Sequence, residues 1–258
     1  MATMGDEQAS TQRLVPAASR TVAILRLLSR APRPMNLSEI AATLEIVPST
    51  CLHILRVLVA ESLVNVDPAT KRYRLGIGIL SLARSVLAKD PLADFLRTEL
   101  ESVANDFLVS SVATKIEGDR AITITTAIPQ KAFAINTEVG SRYPIYMGGT
   151  GRCVAAFGDV DPQRMVRQIG KGRWARLPDP AAWLAEVEEC RRRGYAVDRE
   201  NYITGITVVA VPVLDRGGAL THTLGIISVS EVADRIGIDR LAGALIAVAD
   251  RARNLGGE

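Results

Sequence analysis

Apolar residues in the first third of the chain recur at helical spacing. Between Pro48 and Glu61, Leu52, Leu55 and Val59 stand three and four apart, and Ile54 and Leu58 widen the stripe. That is the pattern of a helix with one face turned to a core. Pro48 suits the first helical position, where a missing N–H costs nothing. Upstream, Leu37, Ile40, Ala41 and Leu44 form a shorter stripe opened by Asn36-Leu37-Ser38-Glu39, the sequence of a capping box. Only Glu45, Ile46 and Val47 separate the two stripes, which predicts a helix-turn-helix. An earlier helix is expected over 20–29, capped by Ser19, with Val22, Leu25 and Leu28 inward and Pro32 and Pro34 ending it.

The polar positions sharpen this reading. Ser49, Thr50 and His53 lie off the stripe at the start of the second helix, where a recognition helix presents side chains to base edges. Beyond it, Leu63-Val64-Asn65-Val66, a turn at Asp67-Pro68-Ala69-Thr70, and Lys71-Arg72-Tyr73-Arg74-Leu75 read as a hairpin. Its second strand carries three cations, Lys71, Arg72 and Arg74, placed to lie along a phosphate backbone. A small helical domain with a solvated basic hairpin would share the pattern. The succession of helix pair and basic hairpin favours double-stranded DNA as the partner. Gly76 and Gly78 permit a tight exit into a helix over 79–89 through Leu80, Ala83 and Leu87, and Asp90-Pro91 breaks it.

After that break the period changes. One more amphipathic helix, 92–108, aligns Leu96, Leu100, Val103 and Phe107. Stretches 111–116 and 121–126 are then strand-like around the turn Glu117-Gly118-Asp119-Arg120, with a third strand expected over 131–136. A glycine-rich loop, 140–152, leads into a short helix, 153–157, and helices follow at 162–169 and 180–193. Strands are expected at 195–198, 207–214 and 223–229, and a last helix at 234–254. A small antiparallel sheet with helices before, between and after it is an α+β domain. The expected organisation is therefore a flexible leader 1–18, a winged helix-turn-helix domain 19–77, a linker helix 78–91 and an α+β domain 92–258.

Charge adds to this picture only through its distribution. The chain of 258 residues has a formal net charge of +3. Residues 20–90 hold ten Lys and Arg against five Asp and Glu, whereas 91–258 hold twenty against twenty-one. The excess sits with the helix-turn-helix, as attraction to phosphates requires. Cys51, Cys153 and Cys190 form no C-x-x-C pair, and the two histidines do not cluster, which argues against a disulfide scaffold or a zinc site. No apolar run reaches the ~18–20 residues of a membrane span. A cytoplasmic protein with reduced thiols, without metal or cofactor, is expected.

The quoted residues resemble the winged helix-turn-helix of the IclR family of bacterial transcription regulators. The resemblance is carried by Ser19-Arg20-Thr21-Val22-Ala23-Ile24-Leu25, Leu37-Ser38-Glu39-Ile40-Ala41, Pro48-Ser49-Thr50, Leu55, Glu61-Ser62-Leu63-Val64 and Tyr73-Arg74-Leu75-Gly76. Many members have Gly where Glu45 stands and Arg where His53 stands. In the second half, Gly194-Tyr195-Ala196-Val197-Asp198-Arg199-Glu200 and Gly205 to Val213 resemble the family's GAF-like effector-binding domain. The resemblance implies an operator bound as a homodimer, a tetramer built as a dimer of dimers, and a small organic effector, often a carboxylate or aromatic compound. By motif position, Ile145, Met147, Gly149 and Thr150 would line the effector pocket from the loop side, and Asp198, Ile206 and Val208 from the strand side. Asp198 would be a polar fixing point, Met147 and Val208 apolar walls, and the Gly149–Thr150 backbone an anion cradle.

The residues themselves leave alternatives open. Gly148-Gly149-Thr150-Gly151 before a helix suits an anion, but a tight turn needing small residues would look the same, and no G-K-[ST] follows. Cys153 at a helix start admits a second reading, a GAF-fold thiol-dependent redox enzyme. A regulator whose ligand shifts DNA binding without turnover is the favoured one.

Overall fold

The computed structural model describes residues 15–87, 91–130, 135, 137–253 and 255, with side chains of 84–87 and 91 left aside. The predicted strand over 131–136 falls almost wholly outside these residues, as do residues 1–14 of the leader. The chain forms two compact units, 1–89 and 90–258.

In the first unit, α1 (Pro16–Arg30) begins three residues before Ser19, so Pro16, Ala17 and Ala18 are helix rather than leader. Pro16 takes the first helical position, and no side chain caps the start. Its inward residues are Ile24 and Leu28; Val22, expected inward, is exposed. A two-residue strand, β1 (Met35–Asn36), precedes α2 (Leu37–Thr43). The capping box forms: Asn36 Oδ1 accepts from the Glu39 N–H at 2.9 Å, and Glu39 Oε2 accepts from the Asn36 N–H at 2.8 Å. Then α3 (Pro48–Ala60) turns away by 114°, within the range of a helix-turn-helix. Its seam is Cys51, Leu55 and Leu58, packed with Ile24, Leu28, Ile40, Ile46 and Val64; Leu52, Ile54 and Val59 are only partly covered. The wing pairs β2 (Val64–Val66) with β3 (Arg72–Leu75), and β1 adds a third strand against β3 that the sequence pattern did not predict. A Cβ on Gly76 would stand 2.2 Å from the Ser62 carbonyl oxygen, so the wing is drawn onto the end of α3 as only glycine allows. Next comes α4 (Gly78–Leu87), where Leu80, expected on the covered stripe, is exposed.

The second unit is built on a six-stranded antiparallel sheet, order β6-β5-β4-β9-β8-β7. Its members are β4 (Ser110–Glu117), β5 (Arg120–Ala127), β6 (Arg142–Pro144), β7 (Ala196–Arg199), β8 (Ile206–Leu214) and β9 (Leu220–Val229). One face packs on α5 (Pro91–Phe107) and α10 (Ile238–Ala252), through Leu96, Leu100, Val209, Val211, Leu224 and Leu245 among others. The predicted final helix is broken in two: α9 (Ser230–Ile236) ends at Gly237, whose φ of 98° no helix accommodates, and α10 starts after it. The other face receives α6 (Gly148–Phe157), supported by α7 (Pro162–Ile169) and α8 (Pro180–Arg193) around Trp183, Met165 and Val187. Here the glycine run is the first turn of α6 rather than a loop leading to Cys153. Gly148 has φ 58°, and a Cβ on Gly149 would come within 2.9 Å of the Ala210 Cβ. Glycine at these positions lays the helix start flat on β8. The fold is an N-terminal winged helix-turn-helix domain followed by a GAF-like α+β domain.

Candidate functional site

Two surfaces hold the residues singled out from the sequence. On α3, Ser49 and His53 are exposed and Thr50 is half-buried. Helical spacing extends this row to Arg56, also exposed, which the sequence reading passed over although it stands three residues beyond His53. No side chain caps α3, so its first turn offers backbone N–H groups and the positive end of the helix dipole.

On the wing, alternation turns Tyr73 and Leu75 into the core and Arg72 and Arg74 outward. The three cations are not equivalent. Arg72 donates from Nη1 to the Pro34 carbonyl at 2.9 Å and to Glu39 Oε2 at 3.3 Å. Glu39 also accepts from Arg33 at 2.9 Å. The capping N–H of Asn36 and then these guanidinium groups hold the Glu39 carboxyl below its ordinary range. Arg72 thus ties the wing to the start of α2. Lys71 and Arg74 are exposed and make no ion pair among the described residues. At the wing tip, Asp67 Oδ1 accepts from the N–H groups of Ala69 at 2.8 Å and Thr70 at 2.9 Å, bonds that lower its pKa and fix the turn.

In the second unit the predicted pocket residues divide into three groups. Ile145 and Met147 belong to the cluster around Met165, Ile169 and Trp183, and the Met147 sulfur lies beside Gly172 and Trp174. Ile206 and Val208 are half-buried on the α6 side of β8, and Gly149 rests on Val208 and Ala210. Asp198 pairs with Val208 across β7 and β8, but it is not a free fixing point. The wholly buried Arg152 donates from Nη1 to Asp198 Oδ1 and to the Gly148 carbonyl, both at 2.9 Å. It donates from Nε to Glu186 Oε2 at 2.6 Å and from Nη2 to Asn201 Oδ1 at 3.2 Å. Asp198 Oδ2 accepts from the Tyr202 N–H at 3.1 Å. Charge burial of this kind is sustained by such complete pairing. It clasps the start of α6 to β7 and α8. The sequence reading missed Arg152, whose side-chain partners lie 34 to 49 residues away.

A second polar group on the same face also went unread. Thr123, Thr114 and Thr223 stand side by side on β5, β4 and β9. Thr150 of α6 and Tyr143 of β6 close over them, linking Thr114 to Tyr143 at 3.1 Å, Tyr143 to Thr150 at 3.4 Å and Thr150 to Thr223 at 3.2 Å. Burial raises the Tyr143 pKa, so its hydroxyl stays neutral. The only signal in the sequence was threonine at facing positions of strands whose register was unknown.

Cys153 is buried, 3.9 Å from the Cys190 sulfur and 3.4 Å from the Ala210 carbonyl oxygen. Burial, and then the neighbouring thiol, push its pKa well up. This is the setting of an inert core thiol rather than a nucleophile.

Comparison with known proteins joins these observations. Residues 17–68 match the family model described as the IclR helix-turn-helix domain, and 85–253 match that of the bacterial transcriptional regulator IclR C-terminal region. The glycerol operon regulatory protein of Streptomyces griseus is 28% identical over 215 residues, 83% of this chain and 85% of that protein. The HTH-type transcriptional repressor AllR of Escherichia coli K12 is 24% identical over 262 residues, 97% of this chain and 93% of its own. Among solved structures, an IclR transcriptional regulator from Alicyclobacillus acidocaldarius superposes with TM-score 0.84 at 30% identity, covering 95% of this chain and all of that one. An IclR homologue from Microbacterium hydrocarbonoxydans, complexed with 4-hydroxybenzoate, shares the fold with TM-score 0.77 at 17% identity, covering 92% and 98%.

Proposed function

Because the chain belongs to the IclR family of DNA-binding transcription regulators, we propose which of its residues read an operator and where its effector acts. The observation that carries the proposal is the exposed row Ser49, His53 and Arg56 on an uncapped helix start, with Lys71 and Arg74 exposed and without an ion pair among the described residues on the adjoining wing. Ser49, Thr50, His53 and Arg56 contact base edges in the major groove, and Lys71 and Arg74 contact phosphates. Arg72 positions the wing. A single winged domain covers too little DNA for a specific site, so the operator is bound by a homodimer, itself able to pair into a tetramer. Exposed Val22, Ile77 and Leu80 support association of the first unit.

The second unit binds a small organic effector on the α6 face of its sheet. The ligand of the Microbacterium relative, an aromatic carboxylate, supports that chemical class. Binding biases the paired DNA-binding domains through α4, and the regulator works in the cytoplasm without catalysing turnover.

The test is anisotropy on DNA selected from a random pool. His53→Ala and Arg56→Ala are expected to change preference among selected variants while affinity for random DNA falls far less. An equal loss on both kinds of DNA would make these residues positioning contacts and overturn the readout assignment.

A further inference from the structure

Resting on the reading of the α6 face as an effector site, we infer that the effector's polar group is held by the threonine row, Thr123, Thr114 and Thr223, and not by Asp198. The four linked hydroxyls of Thr114, Tyr143, Thr150 and Thr223 carry four protons but make three hydrogen bonds with one another. One end of that chain keeps a proton with no acceptor among the described residues. Thr123 adds another: its side-chain oxygen is buried without a partner in a residue only 1% exposed. It pairs directly with Thr114, so both hydroxyls lie on one face a few ångströms apart. A buried hydroxyl left unpaired is costly, and Thr123 beside a chain with a proton to spare implies a group that pairs with both.

The start of α6 adds donors of the same kind. Thr150 lies in its first turn and touches the row, and the Gly149 and Thr150 N–H groups have no acceptor among the described residues. Every unspent proton at this corner is therefore a donor, which selects an acceptor-rich anionic group. No fixed cation competes, because the Arg152 guanidinium already meets Asp198, Glu186, Asn201 and Gly148.

Register excludes Asp198 from the same contact. Asp198 stands level with Val208 and Ile227, whereas Thr223 stands level with Pro212. Four residues along β9 and two strands across the sheet separate them by about 16 Å. One carboxylate cannot reach both. The ligand class is a small monocarboxylate whose anionic end sits on hydroxyls and backbone N–H groups. Its apolar remainder lies toward Val112, Ile206, Val208 and Ile227, which share this face.

The probes are sodium acetate, butanoate, hexanoate, benzoate and 4-hydroxybenzoate, each titrated into the full-length protein to about 50 mM at constant ionic strength, with butanamide and benzamide as uncharged controls. Thermal unfolding reads binding, since a ligand of the native state raises the midpoint. At least one carboxylate is expected to raise it, with the matching amide at least ~10-fold weaker. Thr123→Val, which removes the hydroxyl and keeps the shape, is expected to weaken that carboxylate about 10-fold, the loss of a hydrogen bond to a charged group. Its midpoint without ligand should stay or rise, because an unpaired buried hydroxyl has been removed. A merely structural Thr123 would instead lower that midpoint and leave carboxylate affinity unchanged, which overturns the inference. So would equal binding of amide and acid, or no carboxylate shifting the wild type. Operator binding by the same preparation separates these failures from failure of the regulator reading.

Discussion

The two units use polar side chains in opposite ways. In the first, the groups proposed to meet DNA lie on the outside and are largely unspent: Ser49, His53, Arg56, Lys71 and Arg74 face solvent, and of the wing cations only Arg72 is taken up by Glu39. In the second, the polar groups of the α6 face are buried and spent on one another, Arg152 on four acceptors and four hydroxyls in a chain. A duplex brings its own charge and its own base edges, so its reader can leave side chains in water until contact. A small effector must be enclosed, and an enclosed polar group needs a partner at once or a ligand later. Thr123, the one buried hydroxyl among the described residues with no partner at all, is for that reason the most informative group of the second unit.

The largest test of the comparison cuts the Arg152 cluster. Arg152→Met leaves Asp198 buried with the Tyr202 N–H as its remaining hydrogen bond among the described residues. Breaking a buried ion pair costs about 3–5 kcal/mol. Both tryptophans, Trp174 and Trp183, lie in this unit, so fluorescence in urea reports its unfolding separately. A midpoint close to wild type would mean that the cluster is not what fastens α6 to β7. Asp198→Asn in the Arg152→Met background should recover part of the loss, since the stranded charge is then gone.

The exposed cations give a smaller and cleaner effect. Arg74→Ala is expected to lower the salt slope of DNA binding by about one, the signature of one lost phosphate contact. Arg72→Ala should change the slope much less, because its guanidinium is held at Pro34 and Glu39. Glu39→Gln keeps the capping box, which accepts Gln as well as Glu, yet removes the charge that restrains Arg33 and Arg72; the slope is then expected to rise. If Arg72→Ala and Arg74→Ala lower it equally, the wing cations are alike and the distinction drawn from their hydrogen bonds is lost.

The same contrast explains what could be read without coordinates. The capping box, both helices of the turn, the basic hairpin and the bounds of α7 and α8 are local, settled by residues within one or two turns of each other. Exposure of Ser49 and His53 follows from their position on a helical wheel. The α6 face was illegible for the opposite reason. Whether Asp198 is free depends on Arg152, 46 residues away, and whether Thr123 has a partner depends on a register that includes an irregularity between Ala113 and Thr114. Periodicity also missed the break at Gly237 and misplaced the start of α6, since glycine in a helix and glycine ending one look alike in sequence. Even the third strand of the wing sheet, β1, was hidden because two residues show no alternation.

The smallest expected effect concerns how the first unit keeps its exposed groups in place. Both helices of the turn end in the same way. At the end of α2, the Ile46 N–H donates to the Ala41 carbonyl at 2.9 Å and the Glu45 N–H to the Ala42 carbonyl at 3.3 Å; at the end of α3, Leu63 donates to Leu58 at 2.9 Å and Ser62 to Val59 at 3.0 Å. These are Schellman closures, which place one residue in the left-handed region and favour glycine there. The residues found are Glu45, φ 53°, and Ser62, φ 59°. A side chain in that conformation costs about 1–2 kcal/mol, and part of the relief on replacing it is returned as greater freedom of the unfolded chain. Glu45→Gly is therefore expected to stabilise the first unit by about 0.5–1 kcal/mol. The tryptophans do not see this unit, so amide exchange of Leu55 and Leu58 in the α3 seam is the measurement. Slower exchange with unchanged preference among operator variants shows that the turn carries strain without a role in readout. Faster exchange would mean that the Glu45 side chain contributes more than its backbone costs. Slower exchange with altered operator preference would place the angle between α2 and α3, and not only the side chains on α3, among the determinants of the sequence that is read.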